Sequence, residues 1–140
     1  MSGAEVFLDT NVLLYLLSGD ADKADRAEEL IADGGVISVQ VLNEFASVAS
    51  GKFGMAWSEI REILDTVRAV CRTERLTVET HDGGLGIAER YGFAIYDSMI
   101  VAAALLAGCT SLLSEDFQDG QQLEDQLVVR NPFRVQSRAE

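Results

Sequence analysis

Apolar residues come along this chain in short blocks, and their spacing alternates between strand-like runs and helical stripes. The first block, Val6-Phe7-Leu8, predicts a strand over residues 5–8, and the apolar run after it predicts a helix from residue 12. Over 20–33, Ala24, Ala27, Leu30 and Ile31 share one helical face among charged residues, and Gly34-Gly35 ends the element. A short strand follows over 36–38, a helix over 39–50, a glycine-bounded loop over 51–54, and a helix over 56–71 with Ile60, Ile63, Leu64 and Val67 apolar. The pattern then predicts a strand over 75–78 and a glycine-interrupted helix over 80–91. A strongly apolar helix over 96–107 is closed by Gly108, a strand covers 110–114, a polar loop or short helix 115–126, and a last strand 127–130.

Helices and strands in alternation predict an α/β fold, a parallel sheet of about five short strands flanked by helices in an α/β/α sandwich. The 140 residues suit a single domain, 1–140, with 134–140 expected to be a disordered tail. There is no repeat, low-complexity tract or linker, and the one proline is Pro132.

Composition narrows the function. No stretch reaches the roughly 18 apolar residues of a membrane span, so no membrane role is expected. The start, MSGAEVFLDT, has no basic n-region and predicts no signal peptide. Cys71 and Cys109 are isolated, without CxxC spacing, which suits a reduced cytoplasmic protein better than a disulfide framework or a zinc site. The net charge of −12, from 23 acids and 11 bases, argues against a passive nucleic-acid coat. It leaves room for an enzyme that holds phosphates through cations bound to acids.

Four acids stand in unusual places. Asp9 ends the first strand and leads through Thr10 to Asn11; it is either a helix N-cap or a ligand. Glu44, in "SVQVLNEFASVAS", shares a face with Val41 and Val48, unless the stripe shifts to Leu42, Phe45 and Ala49 and leaves it at the edge. Asp97 heads a stripe of Ile100, Val101, Ala104 and Leu105, as a cap or as a carboxylate aimed into a pocket. Asp116 directly follows a strand in "TSLLSEDFQDG", with Asp119 three residues on; a solvated turn is the plain alternative. Each acid follows a predicted strand or lies within the first two turns of a helix. In a parallel α/β fold such positions gather on one edge of the sheet, where ligands bind. Converging acids repel one another unless hard cations neutralise them. Asn11 and Ser114 would add neutral oxygen ligands or supporting hydrogen bonds.

This ordered set resembles the PIN-domain ribonucleases, specifically the VapC-like toxins of type II toxin–antitoxin pairs. It is carried by "FLDTN", "LNEF", "YDSMIVAAA", "LLSEDFQDGQ" and a final strand ending in "NPF", across nearly the whole chain. The resemblance implies a magnesium- or manganese-dependent endoribonuclease. Its acids would be Asp9, Glu44, Asp97 and Asp116, with Asp119 a further candidate. Asp9, Asp97 and Asp116 would bind metal directly, while Glu44 would ligate a second metal or orient water. It also implies an RNA substrate, a cognate antitoxin and a homodimer.

The alternative is a catalytically silent PIN-like interaction module that uses the acids as a docking patch. His81, the only histidine, reads as a surface or capping residue, and no GxSxG or GxxxxGK[ST] motif is present. Arg61, Arg68 and Arg72 fall on one face of the helix over 56–71, as a solvated face with Asp65 spaced to pair with Arg61, or as a stripe that tracks phosphates or a partner.

Overall fold

The computed structural model describes residues 5–133. In chain order the elements are β1 Val6–Leu8, α1 Thr10–Leu14 with a 3-10 turn Tyr15–Leu17, α2 Ala21–Ala32, β2 Gly35–Ser38, α3 Val39–Gly51 and α4 Trp57–Val70. There follow β3 Cys71–Glu74, α5 Val78–Tyr91, α6 Ile95–Leu106, β4 Ser111–Leu113, β5 Gln122–Leu123 and β6 Leu127–Arg130. The tail expected over 134–140 lies outside the described residues.

One sheet runs β3-β2-β1-β4-β6-β5. All neighbours are parallel except β5, which pairs antiparallel with β6. From β1 the chain first builds outward through β2 to β3, then crosses back to β4 on the other side of β1. Right-handed crossovers in opposite senses put helices on both faces, which is the α/β/α arrangement expected. Central strands covered on both sides need unbroken apolar runs. β2 is buried along its whole length, as are Phe7 and Leu8 of β1.

The helices present the stripes their spacing foretells. α3 buries Val41, Phe45 and Ala49, so Glu44 stands at the edge of its stripe. α6 is buried on almost every side, from Ile100 through Ala104. It packs closely on α5: a Cβ added at Gly84 would lie 2.7 Å from Met99 Cγ and 3.3 Å from its Cα. No described helix is long and apolar enough to cross a membrane. Cys71 and Cys109 are buried, and burial pushes both thiols up to about 11.

Two expectations need correction. The third strand is Cys71–Glu74, not 75–78; Thr77 instead caps α5, its hydroxyl accepting from Thr80 N at 3.1 Å. Arg72 therefore leaves the helical arginine stripe. On the edge strand β3 it bonds Glu74 at 2.8 Å and the Ala107 carbonyl at 3.1 Å. Arg61 and Arg68 remain on α4, and among the described residues Arg61 and Asp65 do not form an ion pair. Strand β5, two residues inside the segment expected to be loop, is an addition.

Candidate active site

The sheet changes its direction of growth between β1 and β4, and a crevice opens at the carboxyl ends of strands at such a point. Asp9 leaves β1 there. Its backbone N donates to the Leu113 carbonyl at 3.0 Å, which ties it to the end of β4. Its side chain accepts from Thr10 N at 2.7 Å and from the Ser114 hydroxyl at 2.7 Å. Asp9 is only 3% exposed. It is thus the N-cap of α1 and also a buried acid; the two readings are compatible.

Ser114 organises the opposite wall. Fully buried, its hydroxyl accepts from Asn11 Nδ2 at 3.3 Å and from Asp116 N at 3.0 Å. Asn11 Nδ2 also donates to Asp116 Oδ2 at 3.1 Å. Asp9, Ser114, Asn11 and Asp116 thereby form one hydrogen-bonded arc joining the ends of β1 and β4.

Glu44 enters from α3. Its Oε1 accepts from the Thr10 hydroxyl at 2.5 Å and its Oε2 from Gln40 Nε2 at 3.2 Å. Gln40 Nε2 also donates to the Tyr96 carbonyl at 2.9 Å, pinning α3 to the residue before Asp97. Reversing this amide would set its oxygen against two acceptors, so its orientation is determined. The Gln40 oxygen is buried without a partner among the described residues. Asp97 lies in the first turn of α6, but the cap residue is Ala94. The half-buried Asp97 carboxylate is therefore not spent on capping.

The acids feel one another. Burial pushes Asp9 from 3.8 up to about 7; the Ser114 and Thr10 hydrogen bonds pull it down, and Asp116 and Glu44 push it further up. Burial also raises Asp97, again helped by Asp116 and Glu44. The four predicted acids are thus brought together. Asp119 is not in that group; its carboxylate accepts from Asn131 N at 2.9 Å. His81 is exposed on α5.

An all-oxygen, mutually repelling donor set suits a hard divalent cation. Asp9, Asp97, Asp116 and Glu44 would hold it. As placed, no three His, Cys, Asp or Glu side chains among the described residues clasp a single ion point. The chemistry of the set fits such an ion, and ion binding would have to draw the carboxylates inward.

The PIN-domain family model matches residues 6–118. This chain belongs to the PIN-domain family. Among curated proteins none matches by sequence. Solved structures share the fold. A toxin–antitoxin complex from Klebsiella pneumoniae is 18% identical with a TM-score of 0.68, over 93% of this chain and 99% of that one. VapC20 from Mycobacterium tuberculosis, described as a sarcin-ricin loop cleaving toxin, is 17% identical with a TM-score of 0.61, over 79% and 89%. FitAcB from Neisseria gonorrhoeae is 15% identical with a TM-score of 0.62, over 93% and 99%.

Within this PIN domain two site residues escaped the sequence reading. Thr10 and Gln40 each hold one oxygen of Glu44. Thr10 carried a signal in "LDTN", as a hydroxyl between an acid and an amide at a strand end. Gln40 carried a weaker one, as an amide one helical turn before Glu44.

Proposed function

We propose that this PIN domain is a magnesium- or manganese-dependent endoribonuclease that acts in the cytoplasm as the toxin of a toxin–antitoxin pair. The observation that carries the reading is the convergence of Asp9, Glu44, Asp97 and Asp116 at the switch point, where Asp9 and Asp97 have raised pKa values partly through their acidic neighbours. When bound there, a divalent ion supplies charge neutralisation at the scissile phosphate and a more acidic water. Asp9, Asp97 and Asp116 would hold it. Glu44, fixed by Thr10 and Gln40, would complete the set that holds it. Ser114 and Asn11 keep Asp9 and Asp116 in register.

The toxin role draws support from the family, from the neighbours described as toxins or toxin–antitoxin complexes, and from the net charge of −12. An acidic rim would receive a basic segment of a cognate antitoxin. A homodimer is part of the same reading, tested by light scattering of the purified chain.

One observation favours the silent interaction module: the acids do not clasp an ion as placed. Incubation with total RNA, with and without magnesium, separates the readings. Cleavage that needs the ion and is lost on chelation supports the nuclease. Cleavage undiminished in excess chelator overturns the metal mechanism. Absence of cleavage, with no saturable magnesium binding that Asp9→Asn abolishes, returns the acids to docking.

A further inference from the structure

The chain has only two lysines, Lys23 and Lys52, among 23 acids. They are 29 residues apart in sequence, and each lies over an aromatic ring of one pocket's wall. Lys23 Nζ lies 5.0 Å from the Tyr15 ring centroid. Tyr15 and Lys52 line the same pocket of about 290 Å³, with Asn11, Val48, Phe53 and Glu115. Among the described residues neither lysine forms an ion pair, despite the excess of acids. The carboxylate in the pocket lining, Glu115, is already engaged by the Tyr15 hydroxyl, at 2.8 Å to each oxygen.

Asn11 belongs to two places at once. Its amide holds Asp116 in the acidic site, and it forms one wall of this pocket. The pocket therefore begins where the candidate active site ends. Another wall is Phe53, a residue 45% exposed in the loop after α3, with Lys52 Nζ 5.7 Å from its ring centroid. A volume near the lower end for ligand pockets, about 300–1,000 Å³, admits one base rather than a larger group.

We propose that this pocket is a subsite for one nucleotide of single-stranded RNA, with the base on Phe53 and its phosphate at Lys52. Exposed aromatics beside cations hold single strands by stacking and charge, with little regard for sequence. A basic protein segment is disfavoured here by Lys52, whereas a phosphate is attracted by it. The subsite takes its substrate from the endoribonuclease reading, and its binding test needs no cleavage.

The test uses the full chain with Phe53→Trp in a Trp57→Phe background, so that the only indole sits at the pocket mouth. Titration with a single-stranded RNA oligonucleotide in chelator should quench its fluorescence saturably. Adding Lys52→Met should weaken that binding several-fold. In the cleavage assay with magnesium, Phe53→Leu should raise KM by roughly tenfold, the range of one base–aromatic stack, with kcat and thermal unfolding near those of the parent. Quenching with RNA from a chain that cleaves nothing leaves the subsite standing and removes the nuclease reading. Cleavage with no quenching and an unchanged KM in Phe53→Leu overturns the subsite and leaves the nuclease. Quenching by polylysine but not by RNA overturns it in favour of a basic protein occupant.

Discussion

At the scale of residues, Asp9 and Gln40 show how the site stores charge. In the folded chain Asp9 holds its proton up to about pH 7, whereas an unperturbed carboxyl at 3.8 has released it. Between those values the folded state binds more protons than the unfolded state, so stability falls as pH rises through the window. The shift, with the lowering by the Ser114 and Thr10 bonds already in it, corresponds to about 4 kcal/mol. Asp9→Asn, freed of that ionisation, should melt later than the parent in metal-free buffer at pH 8, by about 1–3 kcal/mol. The difference should vanish near pH 4, where both chains are neutral at this position; an earlier melt at pH 8 refutes the crowded-charge account. Gln40→Met keeps volume while removing the unpartnered buried oxygen and the two donated bonds. A lone buried acceptor costs about 1–3 kcal/mol, comparable to what those bonds contribute, so stability should change little. Glu44 loses a fixed partner, so manganese affinity by calorimetry and RNA cleavage should both fall about tenfold, or about 1.4 kcal/mol. A melting point that drops while both functional readouts hold would make Gln40 purely structural.

At the scale of elements, the α5–α6 contact depends on a missing side chain. Gly84→Ala places a Cβ 2.7 Å from Met99 Cγ with the Met99 backbone close behind, so the helices must separate. Overpacking of this kind should destabilise by about 1–3 kcal/mol, read by chemical denaturation; an unchanged midpoint would mean that the pair slides freely. Most elements were legible because burial on both faces leaves continuous apolar runs, as in β1 and β2, and one-sided burial leaves stripes, as in α2 and α3. β3 was misplaced because it is an edge strand. Its Cys-Arg-Thr-Glu carries charge as an exposed edge does, while Leu76-Thr77-Val78 offers apolar and β-branched residues that serve a cap and a helix start. β5 has two residues and no periodicity to detect. The acids were legible from their places after strands. The Thr10–Glu44 and Gln40–Tyr96 bonds were not, since they join positions 34 and 56 residues apart that only the folded sheet brings together.

For the whole molecule, a net charge of −12 repels RNA everywhere except near a few cations. If Lys52 carries the contact, the logarithm of affinity should fall with the logarithm of salt at a slope of about −0.7, the value for one neutralised phosphate on a single strand. A slope several times steeper, measured in chelator, would point to an extensive basic footprint instead. The buried thiols bear on how such measurements can be made. With Cys71 and Cys109 enclosed and both pushed up to about 11, the native protein should ignore maleimides near neutral pH, because the thiolate is the reactive species. A cysteine introduced at the exposed Phe53 would then take a dye or spin label alone. The same silence makes the native pair a clock for opening: any labelling of Cys71 or Cys109 would mark the moment a molecule came apart.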